Sequence, residues 1–297
     1  CLAFRDGARV RIQSKAGKPL ERYFPDVVES LAALPATRFV LDGEIVIPVD
    51  GRLSFDELLL RVHPAESRVR KLVEANPARL VVFDLLVDER GRSLAEVPLE
   101  QRRERLETFA EHHLPEDGRI VLSDATRRLS TARAWLAGGG DGDLDGVVAK
   151  RLDLPYRSGE RDGMLKIKRQ RTADCVVGGF RYASRGGAIG SLLLGLYDGA
   201  GLLHQVGFCS SFRAEERKGL AARLEPLRRP PGFTGRAPGG PSRWSTERSA
   251  KWEPLLPRLV VEVGYDHVSG GRFRHGTRFL RWRPDKPPRQ CTMEQLG

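Results

Sequence analysis

Apolar residues in this chain come in short, β-branched runs, not in long helical stripes. FVLDGEIVIP occupies residues 39–48 and RLVVFDLLV residues 79–87, with LDGVVAKRL at 144–152 and MLKIK at 164–168. Runs of this length suit strands that bury one or both faces. The chain is therefore expected to build on sheets, with helices laid against them. Ser54 and Glu57 form a capping box for a helix running to about Val62. Pro98 begins PLEQRRERLETFAEHH, in which Leu99, Leu106, Phe109 and Ala110 share one side. At the start, CLAF and ARVRIQ flank Asp6 and Gly7, a dipeptide that favours a tight turn, so residues 1–13 read as a hairpin.

From about Ala173 the pattern changes to strands almost throughout. CVVGGFRY, SLLLGLY, LLHQVGF, RLVVEVGY and RFLRW follow one another, interrupted by one helical stretch from Ala214 to Leu224. Five short strands and a helix fit a small closed or partly open barrel of the OB type. Residues 228–243 are too rich in Pro and Gly for a regular element and read as a long surface loop. The expectation is an α+β chain of two domains, residues 1–172 and 173–297, each with its own core.

Charge narrows the partners. The net charge is +11 and the pI about 9.9, which favours a polyanion, because each phosphate neutralised releases counterions. Arg272, Arg274, Arg278, Arg281 and Arg283 crowd the last strands, so a DNA-facing surface is expected there. No apolar run approaches the ~20 residues of a membrane span. The start CLAFRDG lacks a signal segment, and the reading is a cytoplasmic protein without membrane attachment. Cys1, Cys175, Cys209 and Cys291 are far apart and form no C-x-x-C pair, so reduced thiols are expected and zinc is not. Asp141, Asp143 and Asp145 imitate a calcium loop, yet its twelfth position is Leu152 where a bidentate glutamate is needed.

Four strand-like segments each carry a polar or aromatic side chain among apolar neighbours: Glu44, Phe83, Asp145, and the pair Lys166 and Lys168. Any one of them alone could simply face solvent. Together they are what nucleotidyl transfer requires: an acceptor for ribose hydroxyls, an aromatic face for a base, a carboxylate for a divalent metal, and a cationic clamp for an α-phosphate. Lys166 and Lys168, two apart on a strand, point to one face. Only nine of the 50 basic residues are lysines, and five of the nine lie in these segments or in SKAG at 14–17 and RPDK at 283–286: Lys15, Lys150, Lys166, Lys168 and Lys286.

The order DGE, VFDLL, DGVVAK, LKIK and RPDK resembles that of ATP-dependent DNA ligases, especially the bacterial ligase C and ligase D type, over essentially the whole chain. The resemblance implies a nucleotidyltransferase (adenylation) domain of antiparallel sheets and helices, followed by an OB-fold barrel. It also implies roles. Glu44 would contact the ribose of ATP, Phe83 would stack on adenine, Asp145 would serve Mg2+ or Mn2+, and Lys166 and Lys168 would hold the α-phosphate. Arg283, Asp285 and Lys286 of RPDK would orient the pyrophosphate of ATP, and Lys15 of SKAG would face nucleotide or nick phosphate. The implied partners are nicked or broken double-stranded DNA, with polymerase or end-bridging repair proteins, and the implied state is a monomer in a bacterial cytoplasm.

Two departures stand out. The family has Glu where this chain has Asp145, a shorter carboxylate that must sit closer to a cation. The family's nucleophilic lysine belongs to Lys-x-Asp-Gly-x-Arg, and FRDGAR at 4–9 has Phe4 in its place. Only four residues separate Arg9 from Ser14, too few for the strand that returns before SKAG in the family, so FRDGAR is expected to be a hairpin tip. The lysine motif is then expected upstream of Cys1, and this chain is expected not to adenylate itself. Two other readings stay open: an RNA ligase or mRNA-capping guanylyltransferase, and a nucleic-acid-binding fragment without catalysis.

Overall fold

The computed structural model describes the chain except residues 64, 117, 139–145, 161, 170, 184–187, 240–250 and 297. Two compact units divide it, Cys1–Lys168 and Arg169–Gly297.

In the first unit the order is β1 (Leu2–Asp6), β2 (Arg9–Gln13), α1 (Pro25–Ala33), β3 (Arg38–Val46), β4 (Pro48–Val49), β5 (Arg52–Leu53), α2 (Phe55–Arg61) and α3 (Glu66–Ala75). Then come β6 (Arg79–Val87), α4 (Leu99–His113), β7 (Ile120–Leu122), α5 (Leu129–Ala137), β8 (Gly146–Lys150) and β9 (Met164–Lys168). A five-stranded sheet runs β2-β1-β3-β6-β7. It is antiparallel except at its edge, where β7 lies parallel to β6. The odd positions of β3, Phe39, Leu41 and Ile45, enter the core with Leu80, Val82 and Leu85 of β6 and Leu106 and Phe109 of α4. The hairpin at the start forms as expected, with Asp6 opposite Arg9 and Gly7 at φ +60° in a two-residue loop. Phe4 lies within β1, between Arg11 and Val40.

α2 starts as its capping sequence predicts, the Ser54 hydroxyl accepting from the Glu57 N–H at 3.2 Å. It ends in a buried ion pair, Arg61 to Asp26 of α1 at 3.1 Å, and Asp26 also accepts from the Ala78 N–H at 2.7 Å.

The second unit contains β10 (Arg171–Tyr182), β11 (Ile189–Tyr197), β12 (Leu203–Ser211), α6 (Ala214–Leu224), β13 (Glu253–Pro254), β14 (Val260–Tyr265), β15 (Val268–Ser269), β16 (Arg272–Phe273) and β17 (Thr277–Trp282). β10 pairs with β11, β11 with β12, β12 with β17, β17 with β14, and β14 with β10, so the sheet closes on itself. The β12–β17 pairing is parallel, and α6 sits between the third and fourth barrel strands, the topology of an OB barrel.

Residues 230–239 carry no helix or strand, but they are not a free surface loop, because Phe233 is buried in the core. Its ring lies so close to Gly178 that a Cβ there would come within 2.6 Å of it, which explains glycine at that strand position. Cys175, Cys209 and Cys291 are buried free thiols, and burial pushes Cys291 up to about 11. No described helix is long and apolar enough to cross a membrane.

Candidate nucleotide site

The site begins with an irregularity between β3 and β6. Asp42 stands opposite Asp84 and Gly43 opposite Val82, which leaves Phe83 as the extra residue of a bulge. A bulge sets two residues of one strand against one of the other and re-aims their side chains. Glu44, opposite Val81, shares a face with Asp42, away from the buried Leu41 and Ile45. Glu44 is exposed and Phe83 half-buried. Gly43 is required where it stands, since a Cβ would lie 2.7 Å from the Val81 carbonyl oxygen.

The second component is the β8–β9 hairpin. Gly146 pairs with Lys168, Val148 with Lys166, and Lys150 with Met164, so alternation places Lys150, Lys166 and Lys168 on one face. Lys150 reaches the sheet, its Nζ 4.3 Å from the centre of the Phe83 ring. Burial lowers the pKa of Lys150, while the Asp84 and Asp42 carboxylates pull it back up. Lys166 is exposed and Lys168 half-buried.

What holds the hairpin against the sheet is a buried polar network. Arg102 of α4 donates to both oxygens of Asp84, at 2.8 and 2.9 Å, and its guanidinium also reaches the carbonyls of Val97 and Leu154. The first N–H groups of α4 lack helical partners. Leu99 and Glu100 donate theirs to the carbonyls of Leu154 and Leu152, both at 2.9 Å, in the segment joining β8 to β9. Tyr156, in the same segment, donates its hydroxyl to Asp42 at 2.8 Å.

Asp42 is the strained member. Burial raises its pKa, nearby Asp84 adds to the rise, and the Tyr156 hydroxyl and Lys150 offset part of it. A carboxyl that holds its proton more tightly when folded makes the fold lose stability as pH rises from its ordinary value of 3.8 through the folded value. Asp42→Asn keeps an acceptor for Tyr156 and is expected to melt above wild type at pH 7, the gap shrinking below pH 3.8. Thermal melting at the two pH values measures this, and equal melting points at pH 7 would refute it.

In the second unit, Arg283 is gripped from two sides. Its Nε and Nη2 donate to Asp285, at 3.0 and 2.8 Å, and its Nη1 donates to Asp174 at 2.8 Å. The Arg283 contact holds the Asp285 carboxyl down at about 2. Lys286 Nζ lies 3.9 Å from Asp174. RPDK lines a cavity of about 230 Å³ together with Arg223, Arg258 and Trp282.

The structure thus gathers Phe83 with Lys150, and sets Lys166 and Lys168 on the hairpin face that Lys150 shares. Lys15 is exposed in the turn after β2. Asp145 and the imitation calcium loop lie outside the described residues. Among the described residues no three His, Cys, Asp or Glu side chains gather as a metal-binding group. Sequence reasoning did not assign Asp42, Asp84, Arg102, Lys150 or Tyr156 to the site. Three of the arginines expected to face DNA have partners within the chain: the exposed Arg281 donates to Glu262 at 2.6 Å, Arg283 to Asp174, and Arg272 to Gln205.

A sheet that presents an acid and an aromatic ring to a lysine-bearing hairpin, in a chain that continues into an OB barrel, defines a nucleotidyltransferase of the adenylating kind. Residues 1–168 match the ATP dependent DNA ligase domain, and residues 185–286 match the ATP dependent DNA ligase C terminal region. DNA ligase C2 of Mycolicibacterium smegmatis is 43% identical over 314 residues, covering 99% of this chain and 86% of that protein. DNA ligase C of Mycobacterium tuberculosis is 41% identical, with coverage of 99% and 86%. A solved Lig E DNA ligase shares the fold, with a TM-score of 0.56 at 16% identity over 95% of this chain and 88% of that one. The chain belongs to the ATP-dependent DNA ligase family, and it is an enzyme of that class.

Proposed function

We propose that the protein joins 3′-hydroxyl and 5′-phosphate ends of nicked or broken double-stranded DNA, through an enzyme-bound AMP and a DNA-adenylate, in bacterial DNA repair. Phe83 stacks on adenine, Glu44 takes the ribose, and Lys166 and Lys168 hold the α-phosphate. Arg283, Asp285 and Lys286 orient the pyrophosphate of ATP, and Lys15 meets DNA phosphate. Mg2+ or Mn2+ at Asp145 belongs to the same proposal and would neutralise phosphate charge when bound. FRDGAR supplies no attacking amine, because position 4 is phenylalanine, so residues 1–297 are not expected to form the enzyme-bound AMP by themselves. The protein acts as a monomer beside polymerase or end-bridging repair proteins.

The observation that carries this reading is the hairpin face bearing three lysines, one of them 4.3 Å from Phe83. Phosphodiester closure tests it, since that step needs no enzyme nucleophile. With pre-adenylated nicked DNA and divalent metal, sealing above background is expected on DNA and not on an RNA duplex. No sealing of either substrate would reject the assignment, and sealing of RNA alone would favour an RNA ligase.

A further inference from the structure

Asp174 of β10 stands directly opposite Glu262 of β14, which in turn stands opposite Arg281 of β17. Two carboxylates facing each other across strands repel unless cations lie between them. Here the cations are those of the RPDK strand end. Arg283 Nη1 lies 2.8 and 3.0 Å from the two Asp174 oxygens and 4.0 Å from Glu262, and Lys286 lies 3.9 Å from Asp174. Asp174 is held in place by its own backbone: its N–H donates to the Gln295 side-chain oxygen at 3.0 Å, and its carbonyl accepts from the Gln295 amide at 3.2 Å.

Arg281, Arg283 and Lys286 are thus balanced by Asp174, Glu262 and Asp285. The adjoining cavity is lined by two more arginines, Arg223, stacked 4.5 Å over the Trp282 ring, and Arg258. Neither pairs with a carboxylate among the described residues. An anion entering this cavity is drawn by Arg223 and Arg258, but it meets Arg283 and Lys286 already neutralised. We propose that Asp174 is a carboxylate latch on an oligophosphate site: the anion binds by taking the place of Asp174 at Arg283 and Lys286, so Asp174 sets how tightly the cavity holds phosphate. The inference rests on the reading that RPDK takes the pyrophosphate end of ATP.

Calorimetric titration of the full chain with inorganic tripolyphosphate, without metal, tests it. Asp174→Asn is expected to bind about tenfold more tightly than wild type, since one like charge at contact distance near a protein surface is worth at least that factor. Asp174→Glu keeps the charge and is expected to stay near wild type. Tripolyphosphate binding by Asp174→Asn that equals or falls below wild type, with an unchanged circular dichroism spectrum, would overturn the latch, as would no binding by either protein. Arg283→Ala separates the two ideas: if it leaves the affinity unchanged, the reading of RPDK fails first, and if it weakens binding while Asp174→Asn does not strengthen it, only the latch fails. Should Asp174→Asn not fold, Gln295→Ala loosens the same carboxylate from its backbone clamp, and an affinity no higher than wild type would overturn the proposal.

Discussion

Alanine in place of Arg102 is expected to lower the stability of the Cys1–Lys168 unit by about 3–5 kcal/mol, read from chemical denaturation. The Arg102 and Asp84 side chains are each only 4% exposed, and two hydrogen bonds join them. Removing the cation leaves the Asp84 carboxylate buried with the Leu85 N–H at 3.0 Å as its remaining hydrogen bond. It also strips the carbonyls of Val97 and Leu154 of a donor. Leu154 belongs to the segment joining β8 to β9, so the loss loosens the lysine hairpin along with the helix. Arg70→Ala is the contrast, since its pair with Glu66 is 73% and 74% exposed and its removal should cost under about 1 kcal/mol. The double change Asp84→Asn with Arg102→Met, which removes both charges, should recover part of the loss. A cost below about 1 kcal/mol at Arg102 would mean the pair does not hold the unit together.

Arg102 also shows where sequence reasoning stopped. The sequence QRRERLE offers three arginines within four residues, and composition marks none of them as special. Position does. Leu99, Arg102, Leu106 and Phe109 recur at helical spacing and all are buried, so the stripe contained a charge that needed a partner. Lys150 gave a similar signal, alternating with Val148 on a strand, and its partners Phe83, Asp42 and Asp84 lie more than 60 residues away. Tyr156 sits in a segment with no regular structure, and nothing local foretells its hydrogen bond to Asp42.

The strands were legible wherever alternation or a long apolar run marked them, as at Arg79–Val87 and Met164–Lys168. β7, three residues long, carries too little pattern to be seen, and its parallel pairing with β6 less still. In the second unit the strands and α6 announce themselves, but closure depends on β12 meeting β17 in parallel, about 70 residues apart, which no local signal encodes. The terminal arginines read in sequence as a surface for DNA; in the structure Arg283 is matched to Asp174, 109 residues away, and Arg281 to Glu262, 19 residues away.

Replacing Lys166 or Lys168 with methionine is expected to slow sealing of pre-adenylated nicked DNA by about 10²–10³-fold, the usual cost of removing one preorganised donor from a developing charge. Lys166 is exposed on β9, so its loss should leave the melting temperature near wild type, which separates a chemical effect from an unfolding one. Arginine is not expected to rescue either position, because a planar fork on a longer stem does not present the point charge that an ammonium places close to one phosphorus. Lys71→Met, on the exposed side of α3, removes the same unit of charge elsewhere in the unit. If general attraction to DNA were the role of these lysines, all three variants would lose affinity alike and the rate at saturating DNA would hold. If Lys166 and Lys168 clamp the reacting phosphate, their variants lose the saturated rate while Lys71→Met keeps it. A Lys166→Met protein that seals at the wild-type rate would remove the hairpin from the chemistry and leave it a structural cover for Phe83.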